Sequence, residues 1–266
     1  MLPTSNQLLR LSQGQLNLLA ACPRKFQHTY LEQLTPPPDP QHEDHQSLGS
    51  RFHLLMQQRE MGLPIENFLQ ADPQLQSWMS AFANAAPEIL IPAKDDTSFR
   101  ESEHYRTLQI KNYLLTVIYD LLIADDERAQ ILDWKTYPQP PNKNKLAQNW
   151  QTRLYLYVLV ETSEYQPEDI SMTYWFVQSQ GKTKNIKFDY DIHQHQATAK
   201  ALNHVLDNLT NWLEAYQNHI PFPQIPIVKN ACEYCQYATQ CERKFIDDDI
   251  ISQSLSNFAD IQEVFL

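Results

Sequence analysis

Asp120, Asp133 and Lys135 are the residue types that can hydrolyse a phosphodiester, and they stand close together in YLLTVIYDLLIADDERAQILDWKTY (113–137). Two apolar runs on either side of a polar turn predict a β-hairpin. With Asp126 and Glu127 as its two-residue loop, Asp120 falls directly opposite Asp133, their Cβ atoms about 5 Å apart. Like charges so placed destabilise a sheet unless a cation lies between them. Strand alternation then puts Lys135 on the face of Asp133. Two carboxylates and an ammonium on an otherwise apolar sheet suit Mg²⁺ or Mn²⁺, which take oxygen ligands and complete their shell with substrate phosphate. The chemistry is attack of an activated water on a phosphodiester, with Lys135 placed to orient the water or to stabilise developing negative charge.

A second set is formed by cysteines. Cys232, Cys235 and Cys241 follow a Cys-x2-Cys-x5-Cys spacing, and Cys22 stands alone more than 200 residues earlier. In a reducing compartment four thiols are better read as ligands of zinc or an iron–sulfur cluster than as two disulfides. The bland alternative, a buried free cysteine acting as a small hydrophobe, fits Cys22 alone better than it fits the polar-flanked triplet. A metal group here would tie the chain's two ends together, a structural clasp rather than a reaction centre.

The elements that must carry these residues follow from the hydrophobic period. Ser12 and Gln15 fit a capping box opening a helix over 12–34, with Cys22 inside it or at a break before Pro23. A polar loop containing His42 and His45 precedes a helix from Ser47 to about Met61, and a third helix covers 73–85. Residues 98–110, 113–124 and 128–136 read as a β-meander, 145–161 as a helix, 170–179 and 184–190 as strands, and 194–219 as a long amphipathic helix. This order predicts an α/β (α+β) fold with a mixed central sheet. Trp134, Tyr137, Trp150, Tyr155 and Tyr157 could stack on bases, but most aromatics at this content belong to the core. The Asp247–Asp249 run reads as a solvated helix start, and the amphipathic 251–266 as a docking segment.

Composition excludes other classes. Only four glycines (Gly14, Gly49, Gly62, Gly181) occur in 266 residues, against roughly 19 at average usage. None are spaced as a Walker A loop or a GxGxxG fingerprint, so neither a helicase motor nor a dinucleotide site is expected. No apolar run is long enough to span a membrane and no secretory leader is recognisable, which predicts a cytoplasmic protein. The net charge of −11 argues against a general polyanion binder. Lysines and arginines nevertheless cluster locally, and Arg51, Lys143, Lys145 and Arg153 are the candidate DNA contacts.

The string ILDWKT, an aspartate 13 residues before its own, and Gln151-x3-Tyr155 downstream resemble the PD-(D/E)XK nuclease superfamily. The match is nearest to its RecB-like branch, which includes CRISPR-associated RecB-like exonucleases. LSQGQLNLLAACPRKFQHTYL, LGSRFHLLM and CEYCQYATQC are similar to that branch's opening segment, Gly-x3-His helix and terminal cysteine triplet, so the resemblance covers roughly 5–245 in order. It implies a restriction-endonuclease-like domain over the whole chain, with 1–46 and 220–245 joined by the cluster and 246–266 as a tail. It further implies His53, Asp120 and Asp133 as metal ligands, with Glu103 (favoured over Glu101) as a further acid, and Lys135 as the catalytic lysine. Gln151 and Tyr155 would support the site and meet DNA, and Cys22, Cys232, Cys235 and Cys241 would hold a 4Fe–4S cluster, or zinc. Val117 stands where the family usually has glycine, which could restrict the approach of substrate. The implied activity is a Mg²⁺- or Mn²⁺-dependent DNA exonuclease whose unwinding comes from a helicase or other partner. A non-catalytic DNA-binding scaffold and a zinc-clasped domain without a DNA role are the alternatives.

Overall fold

The computed structural model describes residues 8–34, 40–91, 97–137, 139–178, 183–226, 232, 233 and 235–243; of 40–47 it gives the backbone alone. In chain order the elements are β1 (Leu9–Leu11), α1 (Gln13–Ala21), α2 (Pro23–Phe26), a π-helical turn (Gln27–Leu31), α3 (Pro40–Glu60), α4 (Glu66–Ala71), α5 (Pro73–Ala85) and α6 (Pro87–Leu90). There follow β2 (Phe99–Ile110), β3 (Tyr113–Ala124), β4 (Ala129–Lys135), α7 (Lys143–Gln148), α8 (Trp150–Glu161), a 3₁₀ turn (Pro167–Asp169), β5 (Ile170–Phe176), β6 (Lys184–Asp189) and α9 (Ile192–Gln217).

The strands form one mixed sheet in the order β1-β3-β4-β5-β6, with β2 paired to β3. β4 and β5 run parallel and are joined through α7 and α8, while β3–β4 and β5–β6 are antiparallel. The expected hairpin register holds: Leu121 pairs with Leu132 and Ala124 with Ala129. Its loop lacks Asn-Gly because Asp125 does the work of the turn, its Oδ1 accepting the Glu127 and Arg128 N–H groups at 2.9 Å each, an Asx turn.

The chain divides into two compact units, 1–37 with 109–115 and 199–266, and 38–108 with 116–198. In the first, β1 lies parallel to the opening residues of β3. Phe26 stacks on Phe222 at 6.2 Å, and Gln27 Oε1 accepts the Phe222 N–H at 2.6 Å. In the second, Phe82 presents its ring edge to Trp134 (5.1 Å) and Trp175 (5.3 Å), within a core that includes Phe52, Trp78, Leu121 and Leu132.

The helix expected over 12–34 breaks at Cys22, the second of the two placements expected for it; the residue is extended (φ −161°, ψ 109°) because the following Pro23 disfavours helical backbone before it. Two boundaries differ from expectation for local reasons. The loop expected before Ser47 is helical from Pro40, where proline suits a first turn. The helix expected over 145–161 is split at Asn149, whose Oδ1 accepts the Gln151 N–H at 2.8 Å and starts α8 afresh. The Asp247–Asp249 run and the segment 251–266 lie outside the described residues. No described helix is long and apolar enough to cross a membrane.

Candidate functional site

All the hydrolytic candidates lie in the second unit. The β3–β4 ladder stops at Leu121–Leu132, one step short of Asp120. There the Asp120 side chain enters the sheet itself, Oδ2 accepting the Trp134 N–H at 2.6 Å. Its other oxygen lies 3.2 Å from His53 Nδ1, delivered by α3. Burial works to raise the Asp120 carboxyl, but the His53 charge and hydrogen bond, the Lys135 ammonium and the Trp134 N–H outweigh it and hold the group below its ordinary value.

Glu103 completes this group: ligand atoms of His53, Glu103 and Asp120 all lie within 4.8 Å of one another. The residue is in left-handed backbone (φ 52°) in the middle of β2, a conformation that costs a non-glycine residue on the order of 1 kcal/mol. The alternation of β2 breaks at Ser102–His104, the mark of a bulge that re-aims a side chain. Glu101, the other acid on this strand, instead pairs with His104 Nδ1 at 2.5 Å.

Asp133, expected as a ligand beside Asp120, is not among these three. It is 1% exposed, with Oδ1 2.8 Å from Lys135 Nζ and Oδ2 accepting from Gln151 Nε2 at 2.6 Å. The lysine neutralises it where a cation was expected to do so. Lys135 also sits 5.5 Å over the ring of Tyr174. Thr152 Oγ1 already donates to Leu146 O at 2.7 Å, so the Tyr174 hydroxyl, 2.8 Å away, donates to Thr152. Sequence reasoning missed Tyr174 and Thr152; they belong to no motif, and only the parallel pairing of Asp133 with Tyr174 brings them here.

Gln151 and Tyr155 share α8, but Tyr155 is 1% exposed, its carbonyl accepting the Tyr119 hydroxyl at 3.0 Å and its ring edge-on to Tyr119. The expected meeting of this ring with a DNA strand therefore fails in this structure, because the ring is spent on the core. Val117 is equally buried and presents no side chain to a substrate. Among the expected DNA contacts, Arg51 pairs with Asp72 at 2.9 Å, Lys143 sits 5.4 Å over Phe188, and Arg153 stacks 4.6 Å from Trp150. Lys143 and Lys145 are exposed.

The cysteines fall in the first unit. Burial foremost pushes the Cys241 thiol up, Arg24 opposes the rise, and the Cys235, Cys22 and Cys232 thiols add to it. The loop that carries the triplet is seated on the N-terminal turns by Tyr237, whose hydroxyl reaches Thr29 Oγ1 (3.1 Å) and Leu34 O (2.5 Å).

A sequence model of the PD-(D/E)XK nuclease superfamily matches residues 10–242. No curated protein matches this chain. Among solved structures, the crystal structure of a protein from Eubacterium rectale named "Putative exonuclease" is similar over 93% of both chains, at 11% identity and a TM-score of 0.52, which is a likeness of fold. That of SSO0001 covers 91% of this chain and 88% of its own at 10% identity, with a TM-score of only 0.38.

Proposed function

The chain belongs to the PD-(D/E)XK nuclease superfamily, and on that premise we propose that it is a divalent-metal-dependent DNA exonuclease of the RecB-like branch, acting on single strands or ends. The observation that carries this reading is the convergence of His53, Glu103 and Asp120 next to the buried Asp133–Lys135–Gln151 set. One imidazole nitrogen and two carboxylates within 4.8 Å of one another are an oxygen-rich donor set of the kind that would hold a hard divalent cation. When bound, such an ion supplies Lewis acidity at the phosphate and a water of lowered pKa.

The chain's own residues do the rest. His53, Glu103 and Asp120 orient the ion, and Asp120 is ready to bind it because its carboxyl is held ionised. Lys135 is the catalytic lysine, its ammonium fixed by Asp133 on one side and the Tyr174 ring on the other, placed to orient water and oppose the charge that builds on the phosphate. Gln151 locks the Asp133 carboxylate, and Tyr155 supports α8 from within the core. Asp133 holds the Lys135 ammonium and, as the family resemblance implies, would be a further ligand for the ion. Lys143, Lys145, Arg51 and Arg153 meet the DNA backbone, and duplex unwinding falls to a partner such as a helicase.

Cys22, Cys232, Cys235 and Cys241 hold a 4Fe–4S cluster in the reducing cytoplasm. The Cys-x2-Cys-x5-Cys triplet and the lone Cys22 supply the four thiolates that such a cluster takes, zinc being the alternative for the same donor set.

The test is degradation of end-labelled single- and double-stranded DNA with Mg²⁺ or Mn²⁺ by protein purified without oxygen, wild type beside Lys135→Ala. Cleavage by the wild type and its loss in a folded variant are expected. Inactivity of the wild type with its metal group intact would overturn the reading in favour of a DNA-binding scaffold.

A further inference from the structure

Glu103 reaches the metal-ligand set from left-handed backbone, a conformation that persists only where its surroundings over-determine it. The residue after it supplies that constraint. The His104 side chain is only 14% exposed, and both of its ring nitrogens are engaged. Arg106 Nε donates to His104 Nε2 at 2.9 Å. That group can only donate, so Nε2 carries no proton, the ring is neutral, and Nδ1–H donates to Glu101 Oε2 at 2.5 Å. The imidazole lies nearly parallel to the Tyr119 ring (centroids 6.0 Å apart, 13° between planes) and meets Phe99 edge-on at 5.8 Å. Two of these neighbours lead to α8. The Tyr119 hydroxyl donates to Tyr155 O, and Arg106 Nη1 donates to the carbonyl (2.7 Å) and hydroxyl (2.9 Å) oxygens of Thr162, which ends the helix. On the other side of the bulge Arg100 donates to Glu60 Oε1 (2.5 Å), at the end of α3, and to Ile89 O (2.9 Å), in α6.

We propose that His104 is a positioning residue for the candidate metal centre: wedged between Arg106, Glu101 and Tyr119, it holds the bulged stretch of β2 against α8 so that Glu103 stays within reach of His53 and Asp120. The inference rests on the metal-site reading given above and requires no change in the charge of the ring. α8 also carries Gln151, whose amide holds Asp133, so one helix steadies both the acid on β2 and the partner of the lysine on β4. Of the two polar ties the one to Arg106 is the stronger, because the Glu101 side chain is half-exposed and its contact is weakened by water.

The experiment is calorimetric titration with Mn²⁺ alone, with water proton relaxation counting the waters on the bound ion and melting curves checking the fold. His104→Ala is expected to weaken Mn²⁺ binding by about 10- to 100-fold, the range for residues that orient a metal ligand, and to admit an extra water as Glu103 withdraws. His104→Gln, whose amide oxygen can take the Arg106 hydrogen bond, should recover part of both. Glu101→Leu should lose less than His104→Ala, whereas Glu101→Gln keeps an acceptor for the Nδ1 proton. The deciding comparison is made in a Glu103→Ala background, where adding His104→Ala should cost no further affinity because its effect passes through Glu103. Losses that simply add, or wild-type affinity and hydration in a folded His104→Ala, would overturn the proposal. If His104→Ala does not fold, Glu101→Leu and Arg106→Leu decide in the same way: wild-type affinity in both, or losses that persist without Glu103, overturn it. A wild type that binds no Mn²⁺ would instead overturn the metal reading, and this inference with it.

Discussion

Lys135 and Asp133 are both buried, and neither charge would be stable there alone. Desolvation of each is offset by the 2.8 Å contact between them, by Gln151 on the second carboxylate oxygen and by the Tyr174 ring. Removing one partner of such a pair costs about 3–5 kcal/mol, so Lys135→Ala must be checked for folding before its inactivity is read as chemistry. Glu103 allows a cleaner test. Glu103→Gln should weaken Mn²⁺ binding by about 10- to 100-fold, the range seen when even the surroundings of a metal site are disturbed. Glu101→Gln, whose parent carboxylate is spent on His104, should leave calorimetric Mn²⁺ affinity unchanged. Equal losses in both variants would place the metal elsewhere on β2.

At the scale of elements, what brings α3 to the site is a missing side chain. A Cβ on Gly49 would stand 2.9 Å from Thr136 Oγ1, so the helix can lie against the residue after Lys135 only because position 49 is bare. Gly49→Ala should destabilise the protein by about 1–3 kcal/mol and lower metal affinity through His53, four residues along the same helix. Thr136→Ala in the same chain should restore most of both, as melting and Mn²⁺ titration of the four proteins would reveal. Persistent loss in the double variant would refute the close-contact explanation. Much of this layer was legible in the sequence. Period-2 and period-3.6 patterns placed α5 and β3 at their observed limits, and counting outward from Asp126–Glu127 fixed the register of β3 on β4. The break at Asn149 was less so, since a local cap cuts a helix without disturbing its hydrophobic period, whereas Pro23 announced a break at Cys22 as one of two placements. The contact of Asp133 with Lys135 was not legible at all. Alternation tells which face a side chain leaves from, but Asp120 turns into the sheet to replace a ladder bond, and Glu103 reaches the site through a left-handed residue that no pattern announces.

At the scale of the whole molecule, the two chemistries are segregated. The hydrolytic residues belong to the unit of 38–108 and 116–198, and the four cysteines to the unit of 1–37, 109–115 and 199–266. If the cysteines hold the proposed cluster, Cys232→Ser should therefore lose its visible absorbance and lower the melting temperature. Hydrogen exchange should speed up over 8–34 and 199–243 while the amides of β4 and α8 keep their protection. Uniform loss of protection would mean that the metal group supports the entire chain. The order in which the chain is made gives this segregation a further consequence. Every hydrolytic residue has been synthesised once Thr198 has been added, whereas Cys241 follows roughly 40 residues later, about 2–9 s at bacterial-range elongation rates of ~5–20 residues per second. Throughout that interval Cys22 waits without its partners, so a metal group of the proposed kind could be installed only after Cys241 has emerged, on a chain whose hydrolytic residues have all been made already.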